Sequence, residues 1–166
     1  MLLLAGGAAS ASAPSQGSKE CLRTPALLSA AADPKAEEAW TLKLSWSGGF
    51  FSQPPKTITI TSSGHAIAQR GAGCLSAGDR EGFATLLKLA RPESWRACYG
   101  VNPCCDRFSY EFQFAQPREG QMYRITWYSG DDGSMPPDLH AIIEAMQRIG
   151  RATIPPCPAT VGARTR

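Results

Sequence analysis

Hydrophobic and polar residues alternate with a period of two in four segments of the chain, which is the pattern of β-strands with one buried face. Their hydrophobic members are Trp40, Leu42, Leu44 and Trp46; Ile58 and Ile60; Phe108, Tyr110, Phe112 and Phe114; and Tyr123, Ile125 and Trp127. A shorter candidate strand covers residues 65–69. A turn from Gln116 to Gly120 separates the last two segments, so we predict that they form an antiparallel hairpin.

Two other segments place hydrophobic residues three and four positions apart, which is typical of amphipathic α-helices. Their stripes are Phe83, Leu86, Leu87 and Ala90 in the first segment and Leu139, Ile142, Ile143, Met146 and Ile149 in the second. Ser76 is a candidate cap for the first helix, and Pro92 is expected to end it. Pro136 and Pro137 are expected to open the second helix, and Gly150 to end it.

The order of these segments predicts an α+β domain, with an antiparallel sheet of about four to five strands packed against two α-helices. A chain of 166 residues has room for one such core, and we place the domain at residues 40–150. Residues 14–39, rich in Ser, Ala, Pro, Lys and Glu, are expected to form a flexible arm. Residues 151–166 form a Pro-rich tail, which Cys157 is expected to attach to the domain.

Residues 1–13 combine a short apolar run with a string of Ala and Ser residues. This composition resembles the end of a secretory signal peptide, truncated at its start, with an A-x-A cleavage site. It predicts a secreted or periplasmic protein, and a plain Ala/Ser-rich tail is the open alternative. Because no later apolar run is long enough to cross a bilayer, we expect no membrane insertion.

Six cysteines, an even number, are able to pair as disulfides in an oxidising compartment. They are Cys21, Cys74, Cys98, Cys104, Cys105 and Cys157. Their connectivity stays open, but three of them follow the first helix and suggest a loop held by covalent links rather than by a core. A metal site is the alternative. Since the chain has no pair of C-x-x-C motifs, and His65 and His140 stand at no recognised ligand spacing, we expect neither a metal nor another cofactor.

Charge and histidine content weigh against two classes of function. A net charge of +3, with Lys and Arg scattered along the chain, does not favour nucleic-acid binding. A triad hydrolase needs a histidine base beside its nucleophile, but His140 borders a hydrophobic stripe and His65 lies at a turn. Asp131 and Asp132 form a carboxylate pair in a Gly-flanked turn without calcium-loop spacing. We therefore predict no catalytic residues and no enzymatic activity.

Aromatic residues directly after two glycines make one loop the candidate partner-binding segment. Its residues are Ser47, Gly48, Gly49, Phe50 and Phe51. Because the glycines favour a tight reversal of the chain, the two phenylalanines either fold back into the core or stand out as a recognition surface. Both interpretations stay open at this point.

Several short motifs follow one another in an order that resembles the emfourin-like family of small proteins. They are Ser47, Gly48, Gly49 and Phe50 after the opening strand; a middle helix that ends near Leu87 to Ala90; a strand with Asp106, Phe108 and Tyr110; and Pro136, Pro137 and Leu139 at the start of the last helix. The resemblance extends from about Trp40 to Ile149, which is nearly all of the predicted domain.

The founding member of that family is a protein inhibitor of thermolysin-type zinc metallopeptidases, so the resemblance implies a non-catalytic inhibitor. The mechanism would be occlusion of the peptidase cleft by a rigid loop, for which residues 47–51 are our candidate. The second hypothesis is an envelope or secreted protein-interaction module with an unknown partner. Both hypotheses predict a protein partner.

Overall fold

Seven strands and two α-helices make up the part of the chain that the structure, a computed structural model, describes: residues 39–48, 53–100, 107–116 and 120–158. The strands are β1 (Thr41–Gly48), β2 (Gln53–Thr61), β3 (His65–Ala68), β4 (Gly71–Cys74), β5 (Cys98–Tyr99), β6 (Phe108–Gln116) and β7 (Gln121–Tyr128). The helices are α1 (Ala77–Leu89) and α2 (Pro137–Arg151). The predicted signal at 1–13 lies outside the described residues, as do nearly all of the arm and the end of the tail.

All these strands belong to one sheet with the order β4-β3-β2-β1-β6-β7-β5. Each neighbouring pair is antiparallel except β5 and β7, which are parallel. The α+β class and the β6–β7 hairpin are confirmed, but the sheet has more strands than the expected four to five, and its β5–β7 pair is parallel where an antiparallel sheet was expected. The two strands that were missed are β4, which contains two glycines and an alanine, and β5, which has only two residues.

The core lies between one face of the sheet and the two helices. The strand register aligns the inward side chains in rows: Leu42 pairs with Ile60 and Phe114, and Leu44 pairs with Ile58 and Phe112. Because strand side chains alternate between faces, this register places these hydrophobic residues of β1, β2 and β6 on the same side of the sheet. All five hydrophobic residues of the α2 stripe are buried against that face, and each contributes roughly 2 kcal/mol of gross burial free energy.

Helix α1 begins and ends where its sequence signals indicate. The Ser76 hydroxyl accepts a hydrogen bond from the Asp79 amide at 3.0 Å, which satisfies one of the free donors of the first turn. The helix ends at Leu89, three residues before Pro92. Of the α1 side chains, Phe83 alone is fully buried, so α1 is a peripheral helix held largely by α2.

Helix α2 begins at Pro137 as predicted, but it does not end at Gly150. The helix continues to Arg151, and the Ala152 amide donates to the carbonyls of Arg148 and Ile149. The extended segment that follows contains Pro155, which disfavours a helical conformation in the preceding residue. Gly150 is therefore a helical residue next to the sheet, not a C-terminal cap.

The loop after α1 is anchored in the core, contrary to the expectation that covalent links hold it. Trp95 is buried among aromatic rings, with centroids 6.0 Å from Phe112 and 5.9 Å from Tyr123. Its indole N–H donates to the Asp138 carboxylate at 3.0 Å. Tyr99, in β5, is buried as well. This part of the loop is held by packing and hydrogen bonds in addition to a cysteine.

Residues 152–158, which we call the strap, run along the outer edge of β4. Cys157 forms a disulfide with Cys74, with the two Cα atoms 4.7 Å apart, so Cys157 attaches the tail to the domain as predicted. Cys98 is also disulfide-bonded. Cys21, Cys104 and Cys105 lie outside the described residues. No helix among the described residues is long and apolar enough to span a membrane.

Candidate functional site

The candidate contact segment begins at one end of the sheet, where β1 stops and β6 starts. Ser47 and Gly48 are the last residues of β1, and Gly48 pairs with Phe108 at the start of β6. Gly49, Phe50 and Phe51 lie outside the described residues. The two interpretations of these phenylalanines therefore stay open, and the described site consists of the residues around the base of this loop.

Gly48 is required at the base of the loop. Its φ of +107° is a conformation that other residues rarely adopt, and an added Cβ would lie 2.7 Å from the Arg107 carbonyl oxygen. The β1–β2 register shifts between Trp46 and Gly48, and such a bulge redirects the strand end. The local sequence thus sets the direction in which the chain leaves the sheet.

Aromatic side chains form a row across the sheet next to this turn. Trp46 pairs with Tyr110, and Tyr110 pairs with Trp127, in adjacent strands. The Tyr110 and Trp127 rings are stacked, with centroids 5.0 Å apart and planes at 9°. Phe108 lies two residues before Tyr110 on β6. The centroids of their rings are 6.5 Å apart, and Phe108 is 37% exposed. We call Trp46, Phe108, Tyr110 and Trp127 the aromatic end.

A surface pocket of about 140 Å³ lies between the aromatic end and the last turn of α2. Trp46 and Tyr110 form its sheet side, and Gln147, Gly150 and Arg151 form its helix side. Pockets for drug-sized ligands are larger, roughly 300–1,000 Å³, whereas an apolar cavity of about 150 Å³ holds a single benzene ring. This pocket therefore has the size of one side chain.

Cationic side chains border the aromatic end. Arg107 forms an ion pair with Asp131 at 3.1 Å, and the Arg107 side chain stays 44% exposed. Arg151 donates to Gln147 at 3.2 Å on the pocket wall, and Lys56 pairs with Trp46 across β1 and β2. Arginines next to aromatic rings suit a partner that offers an aromatic or apolar side chain beside a carboxylate.

The Asp131 carboxylate has a structural role in the turn after β7. The Asp131 backbone amide donates to the Tyr128 carbonyl at 3.0 Å, and the Asp131 carboxylate binds Arg107. The Asp132 side chain lies outside the described residues. These contacts make Asp131 a structural residue of the turn, which fixes Arg107 beside the aromatic end.

The two histidines lie on separate elements. His140 is on α2, with its Nδ1 atom 3.7 Å from a Glu144 carboxylate oxygen one turn later. His65 is on β3, and its Nδ1 atom is 3.7 Å from the Cys157 sulfur. Neither of these contacts pairs a histidine with a free nucleophile, which a triad mechanism needs.

His65, Cys74 and Cys157 form a cluster that the sequence analysis missed. Their ligand-type atoms all lie within 4.8 Å of one another. The three residues are too far apart in sequence to form a recognisable motif, and the β3–β4 pairing and the strap bring them together.

The other face of the sheet is polar, since both described helices pack on the hydrophobic face. Its side chains include a threonine or serine at most positions of β1 and β2. Glu111 forms an ion pair with Arg124 at 2.7 Å. Partial burial acts to raise the pKa of Glu111, but hydrogen bonds from Arg124 and Gln113 and the charge of Lys43 outweigh it and lower the pKa below its ordinary value. These charges largely neutralise one another on this face.

Comparisons with protein-family models, with curated proteins and with solved structures found no match to this chain. The resemblance to the emfourin-like family therefore stays a prediction. The geometry described above is independent of that resemblance.

Proposed function

We propose that this chain is a non-catalytic binding protein that holds a protein partner at the aromatic end. The observation that carries the proposal is the pocket of about 140 Å³ between Trp46, Tyr110 and Arg151. Its size matches one side chain rather than a metabolite. Tryptophan, tyrosine and arginine are also the residues that most often dominate protein–protein binding energy.

The pocket is pre-organised, which lowers the entropic cost of binding. Trp127 is 4% exposed and stacks under Tyr110, so the floor of the aromatic end is continuous with the core. Phe108 adds exposed hydrophobic area beside it. The surface therefore combines a rigid base, one pocket and a rim of arginines, as interface centres commonly do.

Export is part of the proposal. The Cys74–Cys157 disulfide and a second one at Cys98 are typical of proteins from oxidising compartments. We therefore propose a secreted or periplasmic location, in agreement with the signal-like residues 1–13. The proposal assigns no metal or cofactor to partner binding.

The proposed partner is a thermolysin-type zinc metallopeptidase, which the chain inhibits by blocking the cleft. Two features support this choice: the resemblance described above, and a contact segment at residues 47–51 that leaves the sheet beside a rigid aromatic surface. The strands on either side of this segment, β1 and β2, are joined by a ladder of hydrogen bonds, and held ends lower the entropic cost of binding. Disulfides in an inhibitor also limit its own cleavage.

The direct test is a titration of the oxidised full chain against a thermolysin-type peptidase that turns over a peptide substrate. We expect turnover to fall in proportion to the added chain, with a dissociation constant in the micromolar range or below. Unchanged turnover at micromolar concentrations of the chain would rule out inhibition. Binding without inhibition, measured by calorimetry, would favour the interaction-module hypothesis instead.

Variants locate the contact surface. Phe108→Ala should weaken binding about tenfold or more, equivalent to about 1.4 kcal/mol, and the Phe50→Ala/Phe51→Ala double variant tests the loop. Leu89→Ala is the matched control, because Leu89 is 69% exposed and α1 ends beside the first turn of α2, away from Arg151. If Phe108→Ala and Leu89→Ala weaken binding equally, the aromatic end is not the contact surface. Full inhibition by the double variant, with its circular dichroism unchanged, would exclude the segment at residues 47–51 from the contact.

A further inference from the structure

Three metal-ligand side chains from three segments meet at the outer edge of the sheet. His65 on β3 is the register partner of Cys74 on β4, and Cys157 comes from the strap. The His65 Nδ1 atom lies 3.7 Å from the Cys157 sulfur. His65 is exposed and the cysteines are half-buried, so solvent and ions reach the cluster.

Imidazole nitrogen and thiolate sulfur are the preferred ligands of Zn²⁺. With Zn–S of about 2.3 Å and Zn–N of about 2.05 Å, a tetrahedral site places sulfur and nitrogen about 3.6 Å apart and its two sulfurs about 3.8 Å apart. The observed sulfur–nitrogen distance of 3.7 Å already fits. The two sulfurs, however, are bonded to each other and cannot act as thiolates until that bond is reduced.

We propose that, when the Cys74–Cys157 disulfide is reduced, His65, Cys74 and Cys157 bind one Zn²⁺, which then holds the strap on β4 in place of the disulfide. A dithiol reductant supplies two electrons and two protons, forms its own disulfide and leaves two thiols. Zinc binding releases these two protons, and neutral His65 contributes Nδ1. Two thiolates balance the charge of the ion, and water completes the tetrahedron.

Contacts other than the disulfide keep the strap close to β4. The Cys74 amide donates to the Pro155 carbonyl at 2.9 Å, and directly before the two segments the Arg70 side chain donates to the Arg151 carbonyl at 2.9 Å. Gly73 has no Cβ, and an added one would clash with the Pro155 carbonyl oxygen. Since these contacts do not involve sulfur, reduction leaves Cys157 near His65, and little rearrangement separates the two sulfurs.

The test uses a chain in which the other four cysteines are serine (Cys21, Cys98, Cys104 and Cys105). It is reduced without oxygen by a water-soluble phosphine, which becomes the phosphine oxide, and titrated with Co²⁺ as the spectroscopic probe. We expect one equivalent to bind, with thiolate charge-transfer and tetrahedral ligand-field bands, and Zn²⁺ to displace it. Absence of these bands at equimolar Co²⁺ would overturn the proposal.

His65→Ala in the same background should lower Co²⁺ affinity about 100-fold or more, because a site with two ligands binds far more weakly than one with three. His140→Ala is the control, since His140 lies on α2, and should leave the affinity unchanged. Equal affinities for His65→Ala and the parent would show that His65 is no ligand. If the serine background fails to fold, the fully reduced natural chain replaces it, and His65→Ala must then lower its Zn²⁺ stoichiometry by one.

Hydrogen exchange of the Cys74 amide reports on the strap, because this amide donates to Pro155. Exchange should be slow in the oxidised chain, at least about tenfold faster in the reduced metal-free chain, and slow again with Zn²⁺. Fast exchange in the presence of bound Zn²⁺ would show that the ion does not hold the strap. This site lies at the β4 edge, so the result is independent of peptidase binding at the aromatic end.

Discussion

At the scale of single residues, Asp138 connects the start of α2 to the loop after α1. Its carboxylate accepts hydrogen bonds from the Arg91 amide at 2.8 Å and from the Trp95 indole at 3.0 Å. Partial burial acts to raise the pKa of Asp138, but these hydrogen bonds outweigh it, so the pKa lies below its ordinary value. The charge also lies in the first turn of α2, where the helix dipole favours it.

We expect Asp138→Asn to lower the free energy of unfolding by about 1–2 kcal/mol at neutral pH, because charge-assisted hydrogen bonds are lost. Since the folded pKa of Asp138 is below the unfolded one, this stabilisation is fully present above the ordinary Asp pKa of about 4. It disappears as pH falls through the folded pKa. Urea unfolding of the parent and the Asp138→Asn variant should therefore show a difference in the free energy of unfolding that is smaller at acidic pH than at neutral pH.

Glu111→Gln is the matched control for that experiment. The Glu111–Arg124 pair lies on the polar face, with the Arg124 side chain 52% exposed, so its loss should cost less than about 1 kcal/mol. An Asp138→Asn effect no larger than that of Glu111→Gln would show that the charge of Asp138 does not strengthen its contacts with Trp95 and Arg91.

At the scale of elements, the end of α2 decides the shape of the pocket. A cap at Gly150 would have ended the helix before Arg151 and removed that side chain from the pocket wall. The helix instead includes Gly150, and an added Cβ would make ordinary contacts with Ile58, the nearest at 3.5 Å. A glycine inside a helix is less favourable than alanine, because it loses more backbone entropy on folding.

Gly150→Ala should therefore raise the free energy of unfolding, by about 0.5 kcal/mol. Gly82→Ala in α1 is the comparison, since an added Cβ there meets nothing within 4 Å, and a gain of about 0.5–1 kcal/mol is expected. Chemical denaturation measures both. A destabilised Gly150→Ala beside a stabilised Gly82→Ala would indicate a left-handed cap at Gly150, as the sequence analysis predicted.

At the scale of the whole molecule, the Cys74–Cys157 disulfide joins the middle of the chain to its tail, across 83 residues. The strap covers the exposed edge of β4, where unpaired backbone groups would otherwise be available to other strands. A covalent link across so long a loop removes much conformational freedom from the unfolded chain.

We expect Cys74→Ser/Cys157→Ser to lower the free energy of unfolding of the oxidised chain by about 2–4 kcal/mol. In the double variant Cys98 can still form its own disulfide. The lost free energy of unfolding therefore comes from the Cys74–Cys157 disulfide alone. Urea unfolding under non-reducing conditions measures it, with His65→Ala as a control that keeps the disulfide. Equal stability of the double variant and the parent would mean that non-covalent contacts alone hold the strap.

The long strands, the two helices and the α+β class could be predicted from the residue order alone. Those elements bury one face each, so their hydrophobic period has to match their geometry, and the period is visible in the residue order. The residue order also indicated the Ser76 cap and the end of β1 near Gly48, because caps and turns depend on neighbouring residues.

The way in which distant segments meet could not be predicted in this manner. The parallel pairing of β5, the burial of Trp95 and the inclusion of Gly150 in α2 all depend on partners far away in the chain. The same is true of the pocket between Trp46 and Arg151 and of the His65, Cys74 and Cys157 cluster. Sequence patterns report local geometry, whereas these sites are produced by contacts between elements whose relative positions no local pattern encodes.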